Sequence, residues 1–133
     1  SSALEPIETK FAPKPVGPYN QAVQVENWLY CSGQIALDPK SGEMVGAGNI
    51  EEETTQVLKN LIAVVKAAGG DNSNVIRTTI YLTDLNDFTK VNKIYAETFD
   101  NNVSPARACV EVSSLPKGGK IEIDCIAWLG NIK

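Results

Sequence analysis

The sequence predicts an α+β domain: a sheet with two helices on one of its faces. Three observations carry that expectation. Short β-branched and aromatic runs gather in the first third and the last quarter of the chain, two stretches with apolar residues three and four apart interrupt them, and the order is strands, helix, strand, helix, two strands rather than strict βαβ alternation. With 133 residues, 43% hydrophobic and 21% charged, the chain has the size and balance of a single domain, residues 1–133, around one core.

The elements follow in order. Of several strand-like runs before residue 36, "NQAVQVE" and "WLYCSGQI" are the clearest, and "DPKSGE" after them has turn chemistry. From Asn49 the period changes to that of a helix: Val57, Leu58, Leu61, Ile62 and Val65 share a face, and Glu51, Glu52 and Glu53 suit the positive end of the dipole. Asn49 with Glu52 resembles a capping box, and Gly69-Gly70 stops the helix. "VIRTTIYLT", residues 75 to 83, reads as a strand. A second helix starts near Asn86 and carries Phe88, Val91, Tyr95 and Phe99 on one stripe; Pro105 bounds it. "ARACVEV" and "KIEIDCIAW" are two further strands joined by "LPKGG".

Alternation assigns faces. Ala106, Ala108, Val110 and Val112 oppose Arg107, Cys109 and Glu111; Ile121, Ile123, Cys125 and Ala127 oppose Glu122, Asp124, Ile126 and Trp128; Ile76, Thr78, Ile80 and Leu82 oppose Val75, Arg77, Thr79 and Tyr81. The apolar faces are expected beneath the helices. The mixed faces, with Trp28, Tyr81, Ile126 and Trp128 beside charges, leave too much apolar area for water, and a closed homo-oligomer packing them together is expected.

Composition excludes several function classes. There is no histidine, which removes Ser-His-Asp and Cys-His nucleophile systems and histidine zinc sites. A net charge of -4 with scattered lysines disfavours nucleic-acid binding. No apolar run is long enough to span a bilayer and the first residues lack a signal-peptide pattern, so a cytoplasmic protein, or one in an organelle matrix after trimming, is expected. Cys31, Cys109 and Cys125 read as buried free thiols. No phosphate loop, metal set or cofactor motif is present.

Two charged residues remain for chemistry. Arg107, on a rigid strand between Ala106 and Ala108, suits a two-bond clamp on a carboxylate; its simplest structural role is an ion pair with Glu111 or Glu122 at a subunit interface. Glu122, between isoleucines, is placed to be partly desolvated and to orient or deprotonate a water; its simplest structural role is a partner for Arg77 or Lys120. Tyr19 in "GPYNQA" and Ser32 in "CSGQI" lie beside residues that shape tight backbone, where hydroxyls are often aimed at ligands, although for either alone a turn or core role is the simpler reading.

Together these motifs resemble the Rid (YjgF-like) family of reactive intermediate deaminases. The likeness covers nearly the whole chain in "GPYNQAV", "CSGQIALDPKSGE", "RTTIYLTDLNDFTKVN" and, most specifically, "PARACVEVSSLPKGGKIEIDCIA"; the segment between "KVN" and "PAR" is shorter than in some relatives. The resemblance implies a chorismate-mutase-like fold, a homotrimer with sites between subunits, and cofactor-free hydrolysis of 2-iminobutanoate or 2-iminopropanoate to the 2-oxo acid and ammonia. It further implies that Arg107 binds the substrate carboxylate, that Glu122 positions the attacking water, and that Tyr19, Ser32 and Gly33 line the pocket. Cys109 would offer its backbone carbonyl and Asn92 would support the site. Some members of the family are linked to RNA cleavage or translational inhibition, and a regulatory trimer that binds ligand with little turnover is a further alternative. A small imine already hydrolyses in water, so orientation, one placed water and charge stabilisation suffice without a strong nucleophile. If "LPKGG" were a plain hairpin, Arg107 would sit about 16 Å along the sheet from Glu122. Either the connection is not a hairpin, or a neighbouring subunit supplies one of the two.

Overall fold

In the computed structural model, which describes residues 3–100 and 103–130, the strands form one mixed sheet. They are β1 (Glu5–Ile7), β2 (Ala22–Val25), β3 (Trp28–Gln34), β4 (Val75–Leu82), β5 (Ala106–Glu111) and β6 (Ile121–Trp128), in the spatial order β1-β2-β3-β6-β4-β5. All pairings are antiparallel except β4 with β5. Two helices, α1 (Ile50–Ala67) and α2 (Phe88–Thr98), cover one face, as the periodicity predicts.

The core lies between them. Val57, Leu58, Leu61, Val64 and Val65 of α1 pack with Leu29, Ile80, Ile121, Ile123 and Ala127 of the sheet, and α2 adds Val91, Tyr95 and Phe99. Asn49 caps α1 by accepting from the Glu52 amide at 3.0 Å. Its own amide donates to the Gly46 carbonyl, so only one half of the capping box forms. Gly69, at φ +96°, takes the left-handed conformation that ends the helix. Before α2, the Asp84 carboxylate accepts from the Asn86 amide at 2.9 Å and shapes a short 3-10 turn, Leu85–Asp87.

The structure decides one open point and corrects two expectations. The first concerns "LPKGG", left open above between a hairpin and a longer connection: it is not a hairpin, since β4 lies between β5 and β6 and the connection crosses it through a turn in which Lys117 holds φ 56°. The faces of β5 are reversed, because parallel pairing sets Arg107 beside Thr78, Cys109 beside Ile80 and Glu111 beside Leu82, all on the helix side. Ala106, Ala108 and Val110 therefore join the open face. At the start of β4 a register irregularity between Val75 and Arg77 buries Val75 and turns Ile76 outward. Asn101 and Asn102, within the segment read as shorter than in some relatives, lie outside the described residues.

The open face carries Trp28, Tyr30, Tyr81, Val110, Ile126 and Trp128, with Trp28 and Trp128 in edge contact at 4.8 Å. Trp28 is 39% exposed, Val110 44% and Tyr30 52%, so large apolar groups gather on this face.

Polar anchors tie the helix layer to the sheet. Glu51 and Glu52 are exposed, but Glu53 is fully buried, and its carboxylate accepts from the Gly48 amide at 3.0 Å and the Lys120 amide at 2.9 Å. The Asn60 amide donates to the carbonyls of Ile35 and Leu37. Glu53→Ala strands two donors, and chemical denaturation is expected to show a loss of about 2–4 kcal/mol, given about 1–3 kcal/mol for an unsatisfied buried group. Glu51→Ala, at an exposed position, is expected to stay within about 0.5 kcal/mol of the parent.

Candidate active site

The sequence-predicted site residues fall into two groups on opposite faces of the sheet. On the helix side, at the edge strand β5, the Arg107 Nη1 donates to Asn92 Oδ1 at 2.6 Å. Its guanidinium carbon stands 5.3 Å from the ring centre of Phe88 and 5.0 Å from that of Tyr95. Phe88, Asn92 and Tyr95 recur at intervals of four and three along α2, so one helical stripe holds the cation by an amide and two aromatic faces. Tyr95 is itself fixed by a 2.7 Å bond between its hydroxyl and that of Thr78, in the core.

None of the acids proposed as partners reaches this guanidinium. The Glu111 carboxylate accepts from the Leu85 amide, and Glu122 points to the other face. The ion pair found among the described residues joins Lys120 to Asp87 at 3.7 Å. Arg107 borders an open cleft of about 670 Å³ with Asn92, Tyr95, Phe99, Ser104 and Pro105. Cys109 follows on the same face of β5, half-buried rather than buried; burial pushes its thiol up and Arg107 draws it partly back.

The second group lies where β3 meets β6. The pairing slips between Cys31 and Gln34, and Gly33 in the slip leaves room for Glu122: a Cβ there would stand 2.7 Å from the Glu122 carboxyl carbon. Glu122 is half-buried, and desolvation, reinforced by the nearby Asp124 charge, raises its pKa above the ordinary glutamate value. Neither Arg77 nor Lys120 pairs with it among the described residues. Tyr19, Gly33, Pro116 and Glu122 line a small cleft of about 60 Å³. The Tyr19 hydroxyl accepts from the Val16 amide at 3.2 Å, and Ser32, adjoining the cleft, donates to the Asn20 carbonyl at 2.6 Å.

Sequence reading missed the parts played by three residues. Gln21 is buried, accepts from the Thr9 amide and donates to the carbonyls of Thr9, Ala12 and Pro13, which fixes the segment leading to Tyr19. Phe88 and Tyr95 read as a core stripe, and their service to Arg107 appears only once β5 is placed beside α2. Among the described residues no three acidic, cysteine or histidine side chains gather as a metal site.

A two-helix, mixed-sheet protein with an arginine cleft and a glutamate cleft on separate faces defines a distinct structural class. The chain belongs to the Endoribonuclease L-PSP family, whose model matches residues 9–129. Human 2-iminobutanoate/2-iminopropanoate deaminase is 50% identical over 124 residues, 93% of this chain and 89% of its own length. Among solved structures, the Rid-family protein YyfA of Yersinia pestis superposes with a TM-score of 0.91 at 47% identity, covering 95% of this chain and 99% of that one. TdcF of E. coli with bound serine gives 0.88 at 39% identity, covering 93% and 98%.

The raised Glu122 pKa sets the sign of a pH effect. Below the ordinary glutamate pKa the group is protonated in both folded and unfolded chains and costs nothing; as pH rises through the raised folded value, the unfolded chain ionises more readily and stability is lost. Glu122→Gln is therefore expected to raise Tm at pH 7.5, with the gain shrinking to nothing near pH 4, as read by calorimetry across that range.

Proposed function

We propose that this protein is a hydrolytic deaminase of 2-imino acids, acting as a homotrimer whose sites lie between subunits. The observation that carries the reading is the state of Arg107: an amide and two rings hold it while no acid among the described residues pairs with it, which leaves it suited to a ligand carboxylate. Relatives named 2-iminobutanoate/2-iminopropanoate deaminase at about half identity support the substrate class, and serine, held in a relative's crystals, also carries a carboxylate beside a nitrogen-bearing carbon.

The two clefts open on opposite faces of one sheet, so a single chain does not present both to one small molecule. In the proposed trimer the open faces pack together, and the edge strand β5 of one subunit brings its arginine cleft to the Tyr19–Gly33–Glu122 cleft of the next. Cys109 adds its carbonyl, while Ser32 keeps the loop before the slip in place. Arg107 binds the carboxylate through its remaining N–H groups. Glu122 takes a proton from a water whose oxygen bonds to the imine carbon and returns it to the imine nitrogen, whose C=N π electrons accept it, to give a neutral carbinolamine. The C–N bond then breaks as the hydroxyl proton passes by way of the Glu122 carboxylate to the leaving nitrogen, so that ammonia departs and the 2-oxo acid forms. A raised carboxyl pKa makes Glu122 a stronger base for this proton than an ordinary glutamate. No cofactor is required.

With imine generated in situ by an amino-acid oxidase, keto-acid release is expected to accelerate over buffer, and Arg107→Ala is expected to lose nearly all of the acceleration. Calorimetry with 2-oxobutanoate separates the alternatives: binding without acceleration favours a regulatory trimer, and absence of both overturns the carboxylate pocket. The assembly is checked by sedimentation. A mass three times 14.3 kDa is expected for the parent chain, and a shift to monomer with loss of turnover for Tyr30→Asp together with Ile126→Asp.

A further inference from the structure

We propose that the groove between α1 and α2, on the side of α2 away from Arg107, is a binding site for an anionic amphiphile: a medium-length apolar chain bearing a carboxylate or phosphate head. The groove encloses about 700 Å³, within the range of small-molecule sites. Its walls carry Lys10, Lys40, Lys59 and Lys66. These are four of the cations of a chain whose net charge is -4, and none makes an ion pair among the described residues. Two acids also line it. The Asp38 carboxylate is committed to the amides of Lys40 and Ser41 at 2.8 and 2.9 Å, which leaves Glu97 as the opposing charge free of such bonds.

The floor is aliphatic: Leu58, Ile62 and Ala63 of α1 meet Ile94 of α2, and Phe11, 68% exposed, flanks them. Along α1 the lining runs from Thr55 to Lys66, about 16 Å at the helical rise of about 1.5 Å per residue. That length suits an extended alkyl chain. It is short for a protein partner, whose interface usually buries about 800 Å² on each side, and one exposed aromatic ring is a poor platform for stacked bases. Lysine stems can lie along the chain while their ammonium groups meet the head.

The groove is separate from the arginine cleft. Ile94, Glu97 and Thr98 face it, whereas Asn92, Tyr95 and Phe99 face Arg107. It also lies on the helical side, so packing of the open sheet faces leaves it accessible, and the inference stands independently of the imine chemistry.

The test titrates the full-length protein with decanoate, decyl phosphate and 1-decanol below their aggregation limits, by calorimetry and by the methyl NMR signals of Ile62 and Ile94. Expected are one site per chain for an anion, shifts at both methyls, and binding about tenfold weaker for the alcohol and for Lys59→Glu with Lys66→Glu, as two weak ion pairs would give. A preference for decanoate identifies a fatty-acid-like head, and one for decyl phosphate a phospholipid-like head. Imine hydrolysis by the double variant is expected to match the parent. Equal binding of the alcohol, insensitivity to the double variant, or shifts confined to the open face would overturn the assignment. So would an acidic amphipathic peptide or single-stranded RNA binding the groove where decanoate and decyl phosphate do not.

Discussion

The structure depends on the alternation of β6. This strand pairs with β3 on one side and β4 on the other, and its burial switches at every residue. Ile121, Ile123, Cys125 and Ala127 anchor the helix layer, which makes β6 the floor of the core between the sheet and the helices. The intervening residues are obliged to face the other way. Glu122 inherits its partial burial from that obligation: its neighbours hold it against the sheet while its carboxylate meets the gap left by Gly33.

Much of this was legible in the residues. Period fixed both helices and the strong strands, since a half-buried element must repeat its apolar residues at its own pitch. The two-fold pattern of β6 named its faces correctly, as it names those of any strand under a helix. It misled on β5 for a physical reason: alternation tells which residues share a face, not what covers that face. On an edge strand beside an aromatic-lined helix, the apolar set looked outward and the polar set inward. The bend at Ile76 and the crossing at "LPKGG" were likewise beyond local pattern, because both depend on which strand lies next door.

The polar anchors were the least visible. Glu53 was indistinguishable in sequence from the two acids before it, and Gln21 and Asn60 carry no periodic signal. Each satisfies backbone groups far along the chain, from Gly48 to Lys120 or from Thr9 to Pro13, and such partners exist only after folding. Arg107 and Glu122 were both visible as candidates. That they face opposite ways was not, and this is the fact from which a shared site between chains was argued.

The manner in which Arg107 is held has a consequence for energetics. A guanidinium fixed by an amide and two rings recognises a carboxylate without regard to the adjacent carbon, so under the proposed chemistry it grips the imino acid and the oxo acid alike. A grip that is also the same in the transition state between them does not lower the barrier. The clamp then supplies residence and selection, the glutamate cleft must supply the discrimination for the transition state, and departure of the product anion competes with chemistry to set the pace.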